Sequence, residues 1–153
     1  MSNVHAGTPK RIIPALGSIY DSLSCFSYPL IRFAAGVMLV PHGYAKLFQG
    51  GVANTAKGMA AAGLEPATFL AWYIGCLEFF GGILLAIGLF TRPVAALVVG
   101  FMAVATFHVH WGNGFFWINK GYEYPLFWAL VALAIVIRGG GNLSLDKRIG
   151  KEI

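Results

Sequence analysis

Four long apolar segments, each with few charged residues, limit what this chain can fold into. They cover about residues 28–48, 68–89, 93–111 and 124–138. A helix needs about 20 apolar residues to cross a hydrocarbon core of about 30 Å. Charged residues make up only 11% of the chain, against roughly 25% in soluble globular domains, and a chain this short has too little interior to bury so much apolar surface. The sequence therefore predicts an all-α fold, an integral membrane four-helix bundle.

Turn residues separate the predicted spans. The short link over 90–93 makes the second and third spans an antiparallel hairpin, with Pro93 in the first turn of the third helix, where a missing N–H costs nothing. Three glycines at 139–141 end the fourth span. No small-residue cleavage site follows the first apolar run, so we expect a retained span and not a signal peptide. The predicted parts are a polar N-terminal segment (1–27), a four-span domain (28–138) and a C-terminal tail (139–153).

Lysine and arginine are distributed unevenly between the two predicted sides of the membrane. One side carries Lys10, Arg11, Arg92, Arg138, Lys147, Arg148 and Lys151. The other carries Lys57 and Lys120, with Lys46 at a helix end. Because basic loops stay in the cytoplasm, we expect both termini to be cytoplasmic and the loops 49–67 and 112–123 to be outside. This is the pattern of a multi-pass protein of a bacterial inner (plasma) membrane.

Two other function classes are disfavoured by the same composition. The net charge of +5 comes from basic residues scattered singly or in pairs, without a basic stripe or a nucleic-acid motif, so we expect no nucleic-acid partner. Cys25 and Cys76 are far apart and form no CxxC. This argues against a dithiol centre and a thiolate metal site, and we assign no metal ligands.

Ionisable residues within the apolar segments are the strongest functional signal. Such side chains are costly in a membrane and usually face the bundle interior or a polar cavity. Glu78 lies about 15 Å into the second span, near the midplane, where it must pair, be protonated or border water. His42 and Lys46 are one helical turn apart on one face. With His108 of the third span, these residues are predicted to share the outer half of the bundle.

Structural explanations compete at several of these positions. Lys46 could extend to the outer interface, and Arg32, one turn from the inner end of its span, could do the same or form a structural pair. His110 is about 200° around the helix from His108, so the two cannot face one ligand while the helix continues. Pro41 removes a backbone donor, and a bend there would suit a cavity lined by His42.

The outer segment 111–125 is rich in aromatic residues and glycine. Such residues are typical of an interfacial aromatic belt. They would equally suit a re-entrant lid over the bundle mouth, where flat rings line a pocket for a ring-shaped ligand. Both interpretations stay open on the sequence alone, with Glu123 at the boundary of the segment.

With these features placed, the chain resembles the DoxX family of small four-helix membrane proteins. The resemblance depends on an ordered set of motifs: RFAAG (32–36), HGYAKL (42–47), EFFGG (78–82), GLFTR (88–92), MAVATFH (102–108), GFF (114–116), GYEYP (121–125) and LSLD (143–146). It implies a redox-linked membrane protein, since the relatives that gave the family its name are membrane subunits of a thiosulfate:quinone oxidoreductase. No residue here points independently to thiosulfate.

The leading hypothesis is therefore a membrane subunit of a redox system that binds a quinone-like carrier. His42 and Glu78 are the predicted catalytic residues, and Lys46, His108, Glu123 and Arg32 the predicted ligand-binding residues. Without a flavin motif, a CxxC or an iron–sulfur pattern, electrons would come from a partner oxidoreductase, so we expect no activity from this chain alone. One alternative is a haem or metal holder using His42 and His108; another is a non-enzymatic anchor or small-solute permease. A homo-oligomer is compatible with each.

Overall fold

The computed structural model describes residues 11–152, so Lys10 and the rest of the predicted polar segment before residue 11 lie outside the described residues. Every regular element in the described range is helical, as predicted. The helices are α1 (Gly17–Phe48), α2 (Gly51–Ala61), α3 (Ala67–Ile87), α4 (Thr91–Asn113), α5 (Glu123–Arg138) and α6 (Leu145–Ile149). Short 3-10 turns lie at Pro14–Leu16 and Trp117–Asn119.

Within residues 11–152, three helical stretches are long and apolar enough to cross a membrane: Pro14–Phe48, Ala67–Ile87 and Thr91–Asn113. Large apolar side chains on their outer faces are exposed, including Phe69 at 65% and Phe107 at 62%. Such faces suit contact with lipid. The predicted multi-pass membrane protein is confirmed at this level. The predicted fourth apolar segment forms α5, which is 16 residues long.

Helix α1 lies against the backbone of α3. A Cβ added at Gly43 would lie 2.7 Å from Phe79 Cα, and one at Gly36 would lie 2.8 Å from Ala86 Cα. These glycines therefore permit the close approach that small residues give membrane helices. On the other side of the bundle, α4 packs along α5.

The end of the bundle at Arg32 is fixed by polar contacts to the C-terminal tail. Arg32 is buried and donates to the carbonyl oxygens of Leu85 and Ala86 at 2.6 and 2.7 Å, and to Leu143 O at 2.7 Å. Its charge thus satisfies carbonyl groups at the C-terminal end of α3. The Asp146 carboxylate accepts hydrogen bonds from the amides of Phe90 and Thr91 at 2.8 and 2.9 Å. The tail therefore ties α1 to the turn between α3 and α4.

Several local features differ from the sequence prediction. The predicted outer loop 49–67 contains helix α2, whose alanine- and glycine-rich sequence carries little apolar periodicity and which forms where it packs on α3. Helix α1 begins at Gly17, well before residue 28, and serine hydroxyls in its first turns are satisfied by carbonyl oxygens three residues earlier. Gly139 ends α5 as predicted.

Candidate ligand cavity

A cavity of about 150 Å³ lies inside the bundle, between α1, α3, α4 and α5. Most of its lining is apolar. Its lining residues with polar side-chain atoms are His42, Glu78, His110, Trp117, Tyr124 and Trp128. A cavity of about 150 Å³ with an apolar lining holds one benzene molecule. The volume therefore matches a single six-membered ring.

Glu78 is the buried charge at this cavity, and Lys46 is its partner. Glu78 is 4% exposed, and its Oε2 accepts a hydrogen bond from Lys46 Nζ at 2.6 Å. Of the explanations open on the sequence, the structure therefore selects pairing for both residues. Lys46 also lines a surface groove that contains Lys57, so the pair joins the cavity to the protein surface. Glu78 Oε1 accepts no hydrogen bond from residues 11–152.

The two helices that carry Glu78 and His110 are locally widened. The segment Leu77–Gly81 of α3, which includes Glu78, is π-helical. The segment Ala105–His110 of α4 is π-helical as well. Such wide turns are rare and often occur at functional sites, because they change the direction of the side chains that follow. Neither π-helical segment was predicted, since a π-helical turn and an α-helical turn have the same apolar sequence pattern.

The histidines of α4 have different surroundings. His108 is exposed, and its Nε2 lies 2.8 Å from Ala62 O at the end of α2, away from the cavity. His110 lines the cavity, and its Nδ1 lies 2.6 Å from Lys120 O. A carbonyl oxygen only accepts, so Nδ1 carries the proton and Nε2 of the neutral ring is an acceptor. The structure thus brings together His42 and Glu78, with Lys46 bonded behind Glu78, and adds His110 where His108 was predicted.

The aromatic segment after α4 contributes to the cavity through Trp117. Glu123 Oε2 accepts a hydrogen bond from Trp117 N at 3.1 Å, so Glu123 holds this segment and is not itself in the cavity lining. A Cβ at Gly121 would lie 2.6 Å from the carbonyl carbon of Phe115, so the close return of the chain requires glycine. The Trp117 ring lies 4.9 Å from the Tyr124 ring. The position of Trp117 at the cavity suits a lid, while the exposure of Phe115 and Phe116 equally suits an interfacial belt.

Arg32 is not part of the cavity lining. It lies ten residues before His42 on α1, which is about 15 Å along the helix axis. Its contacts are those of the bundle end described above. None of the four predicted ligand-binding residues is in the cavity lining. Arg32 and His108 are held elsewhere, Lys46 is bonded to Glu78, and Glu123 holds the aromatic segment.

Trp128 is the cavity residue with a buried and unpaired donor. Its Nε1 is buried and makes no hydrogen bond within residues 11–152. A buried indole N–H usually finds a partner. Sequence reasoning missed Trp128 and favoured His108 over His110, while it included Trp117 and Tyr124 only as members of the candidate lid segment. The available signal was the i, i+4 spacing of Tyr124 and Trp128 on an apolar helix, which puts both polar groups on one face.

The described residues contain no group of three or more histidine, cysteine, aspartate or glutamate side chains that could hold a metal ion. Cys25 and Cys76 are free and exposed. The donor set around the cavity therefore consists of one carboxylate, two imidazoles and indole and phenol groups.

Comparison with known proteins decides the family. The sequence profile of the DoxX family matches residues 28–111, which include α1 from Tyr28, α2, α3 and nearly all of α4. The chain belongs to the DoxX family. This DoxX protein is 36% identical over 125 residues to an uncharacterized protein of Haemophilus influenzae, a match that covers 80% of this chain and 90% of the relative. A second uncharacterized protein of the same organism is 32% identical over 89 residues, which is 58% of each chain. No solved structure matches.

Proposed function

We propose that this DoxX family membrane protein binds the ring of a quinone-like carrier in the cavity between α1, α3, α4 and α5. The observation that carries the proposal is a ring-sized cavity lined by two residues with unused hydrogen-bonding groups in residues 11–152: Trp128, whose buried Nε1 has no acceptor, and Glu78, whose Oε1 has no donor. A quinone carbonyl accepts hydrogen bonds, and the hydroxyl of the reduced quinol donates them. The cavity offers a partner to each form.

The chemistry of the carrier fits the ionisable groups. Reduction of a quinone to a quinol takes up two electrons and two protons, one proton at each carbonyl oxygen. Glu78, His42 and His110 line the cavity and are residues that donate and accept protons. Lys46 joins Glu78 to the surface groove, which would serve as the proton route. In this proposal His42 and Glu78 contact the carrier directly, and Lys46 acts through Glu78.

The electrons would come from a partner oxidoreductase, because the sequence has no flavin motif, CxxC or iron–sulfur pattern. The protein would thus be the quinone-binding membrane subunit of a redox system in a bacterial inner membrane. A protein that served only as an anchor would not need an ion pair beside a ring-sized cavity. Burying charges in a membrane protein costs free energy, and such charges usually mark functional sites.

We further propose that α5 is a fourth span and that both termini are cytoplasmic. Tyr124 at the start of α5 is beside the cavity, while Gly139 just past its end is bonded to Tyr28. Helix α5 thus runs back along the bundle to the end where Arg32 and the tail meet. In a background with Cys25→Ser and Cys76→Ser, cysteines introduced singly at Lys147 and at Asn119 should differ in labelling by a membrane-impermeant maleimide in intact cells, with only the Asn119→Cys variant labelled. Labelling of both, or of the tail alone, would overturn this topology.

Quinone binding is tested by equilibrium titration of the purified protein with a benzoquinone that has no tail. Wild-type protein should bind it saturably, and Glu78→Gln and His42→Ala should each weaken binding. Wild-type protein that does not bind the ring would overturn the proposal. Full binding, partner association and cellular phenotype in both variants would show that these polar groups are structural and that the protein is an anchor.

The partner is tested by purification in mild detergent, with extraction of bound lipids and identification of co-purifying proteins. We expect a membrane quinone in the extract and an oxidoreductase among the proteins. Preparations that contain neither would contradict the redox-subunit proposal. His108→Ala is the matched control for His42→Ala, because His108 is on the same bundle but outside the cavity lining.

A further inference from the structure

A second and larger space, here called the lateral groove, lies on the lipid-facing side of the bundle. It has a volume of about 710 Å³ and runs between α2 and α3 on one side and α4 on the other. Apart from Thr55, Tyr73 and His110, its lining is apolar. Ligand sites typically have volumes of roughly 300–1,000 Å³ and mostly apolar walls. The lateral groove has the dimensions of a binding site.

The lateral groove and the ring-sized cavity share a wall. Phe101, Ala105 and His110 of α4 line both spaces. Ala105 is the smallest of the three and begins the π-helical segment of α4. A chain attached to a ring in the cavity would therefore pass this wall at Ala105 to reach the groove.

The groove is open along α4 near Gly100, and a hydrogen bond joins α4 to α2 at its other end. A Cβ added at Gly100 in its floor would meet no atom within 4 Å. At the other end His108 Nε2 bonds to the carbonyl of Ala62, which itself lines the groove, so α2 is held against α4 there. The groove is thus bounded by three helices and a polar link, which distinguishes it from a bare helix face.

We propose that the lateral groove holds the hydrocarbon tail of the carrier whose ring occupies the cavity. This inference rests on the proposed quinone binding and extends it to the class of ligand: a ring with a long apolar chain. Transfer of the tail from lipid into the groove gives little hydrophobic free energy, because lipid chains are equally apolar. The groove instead orients the ring toward Glu78 and Trp128 and gives the carrier a route from the bilayer.

The test compares a tailless benzoquinone with the same ring bearing a decyl chain. Gly100→Leu places a side chain in the empty floor of the groove without touching the cavity lining. We expect it to weaken binding of the decyl compound by about tenfold or more, the size of a moderate packing clash. Binding of the tailless ring should stay unchanged. Gly112→Leu is the matched control, because Gly112 is equally open and outside both spaces; it should affect neither compound.

Each outcome separates the two proposals. If Gly100→Leu leaves binding of the decyl compound unchanged, or weakens both compounds equally, a bilayer lipid or nothing fills the groove and the tail inference is overturned while ring binding stands. If wild-type protein binds neither compound, the proposed function itself fails. Thermal melting of each variant checks that it is folded. As a second readout, a decyl tail ending in a photoreactive diazirine should label Leu97 or Val104 of α4, and labelling of Phe127 on α5 instead would overturn the inference.

Discussion

Replacing Lys46 by methionine would leave the Glu78 carboxylate buried without its counter-charge. Removal of one partner of a buried ion pair costs about 3–5 kcal/mol. Because the Lys46 side chain is 21% exposed, we take the lower end, about 3 kcal/mol. For a chain of this length each kcal/mol lowers the melting temperature by roughly 2–4 °C. The Lys46→Met variant should therefore melt about 6–12 °C below the wild type.

The opposite single substitution should cost much less. In Glu78→Gln the amide oxygen still accepts the hydrogen bond from Lys46 Nζ, and the ammonium group can extend into the surface groove that it already lines. We expect a loss of about 1 kcal/mol, or roughly 2–4 °C. The double variant, Lys46→Met with Glu78→Gln, has no buried carboxylate without a counter-charge. It should therefore be more stable than Lys46→Met alone.

The assay is thermal unfolding of all variants in one detergent, monitored by tryptophan fluorescence. Lys57→Met is the matched control: Lys57 is exposed and forms no ion pair within the described part of the chain, so its effect should stay within about 0.5 kcal/mol. The reasoning fails if Lys46→Met melts with the wild type. It fails equally if the double variant shows the sum of the two single effects, since the cycle would then contain no coupling.

Two further predictions concern the scaffold. Gly43→Ala should destabilise the protein by about 1–3 kcal/mol, because its Cβ would meet the backbone of Phe79. Thermal melting measures the loss, with Gly100→Ala as the control. A melting temperature of Gly43→Ala no lower than that of the control would contradict the close α1–α3 packing. Asp146→Ala should leave the Thr91 amide and its neighbour without acceptors, at about 1–3 kcal/mol for each buried donor. Hydrogen exchange at these amides should rise, and unchanged protection would show that the tail does not hold the turn.

The helices were predictable from sequence because their apolar runs are long and their ends carry strong signals. Pro93 and Gly139 mark helix ends by backbone chemistry alone, and both lie where they were expected. Glu78 was predictable as an ionisable group of the bundle interior because a carboxylate near the membrane midplane has few alternatives, although the sequence left pairing, protonation and contact with water open. The pairing with Lys46 was harder to predict, since the Lys46 side chain could equally have extended to the membrane interface.

The rest of the cavity depends on packing that periodicity does not encode. The choice between His108 and His110 depends on the widened turn over Ala105–His110, and a wide turn has the same apolar pattern as an ordinary one. Trp117 reaches the cavity only because Glu123 and Gly121 bring its segment back over the bundle. Such backbone contacts depend on the path of the folded segment, which residue types and apolar periodicity do not specify.

The central claim is that the cavity binds a quinone ring through Trp128 and Glu78, and the Trp128→Phe variant tests it most directly. Phenylalanine keeps an aromatic ring at this position but is smaller than indole and lacks the donor Nε1, which is buried and unpaired in residues 11–152. Titration calorimetry with a tailless benzoquinone should show affinity reduced by about fivefold, equivalent to about 1 kcal/mol for one hydrogen bond. Trp72→Phe, at an exposed position outside the cavity, should bind as the wild type does. Equal affinity of the Trp128→Phe and wild-type proteins would contradict the account.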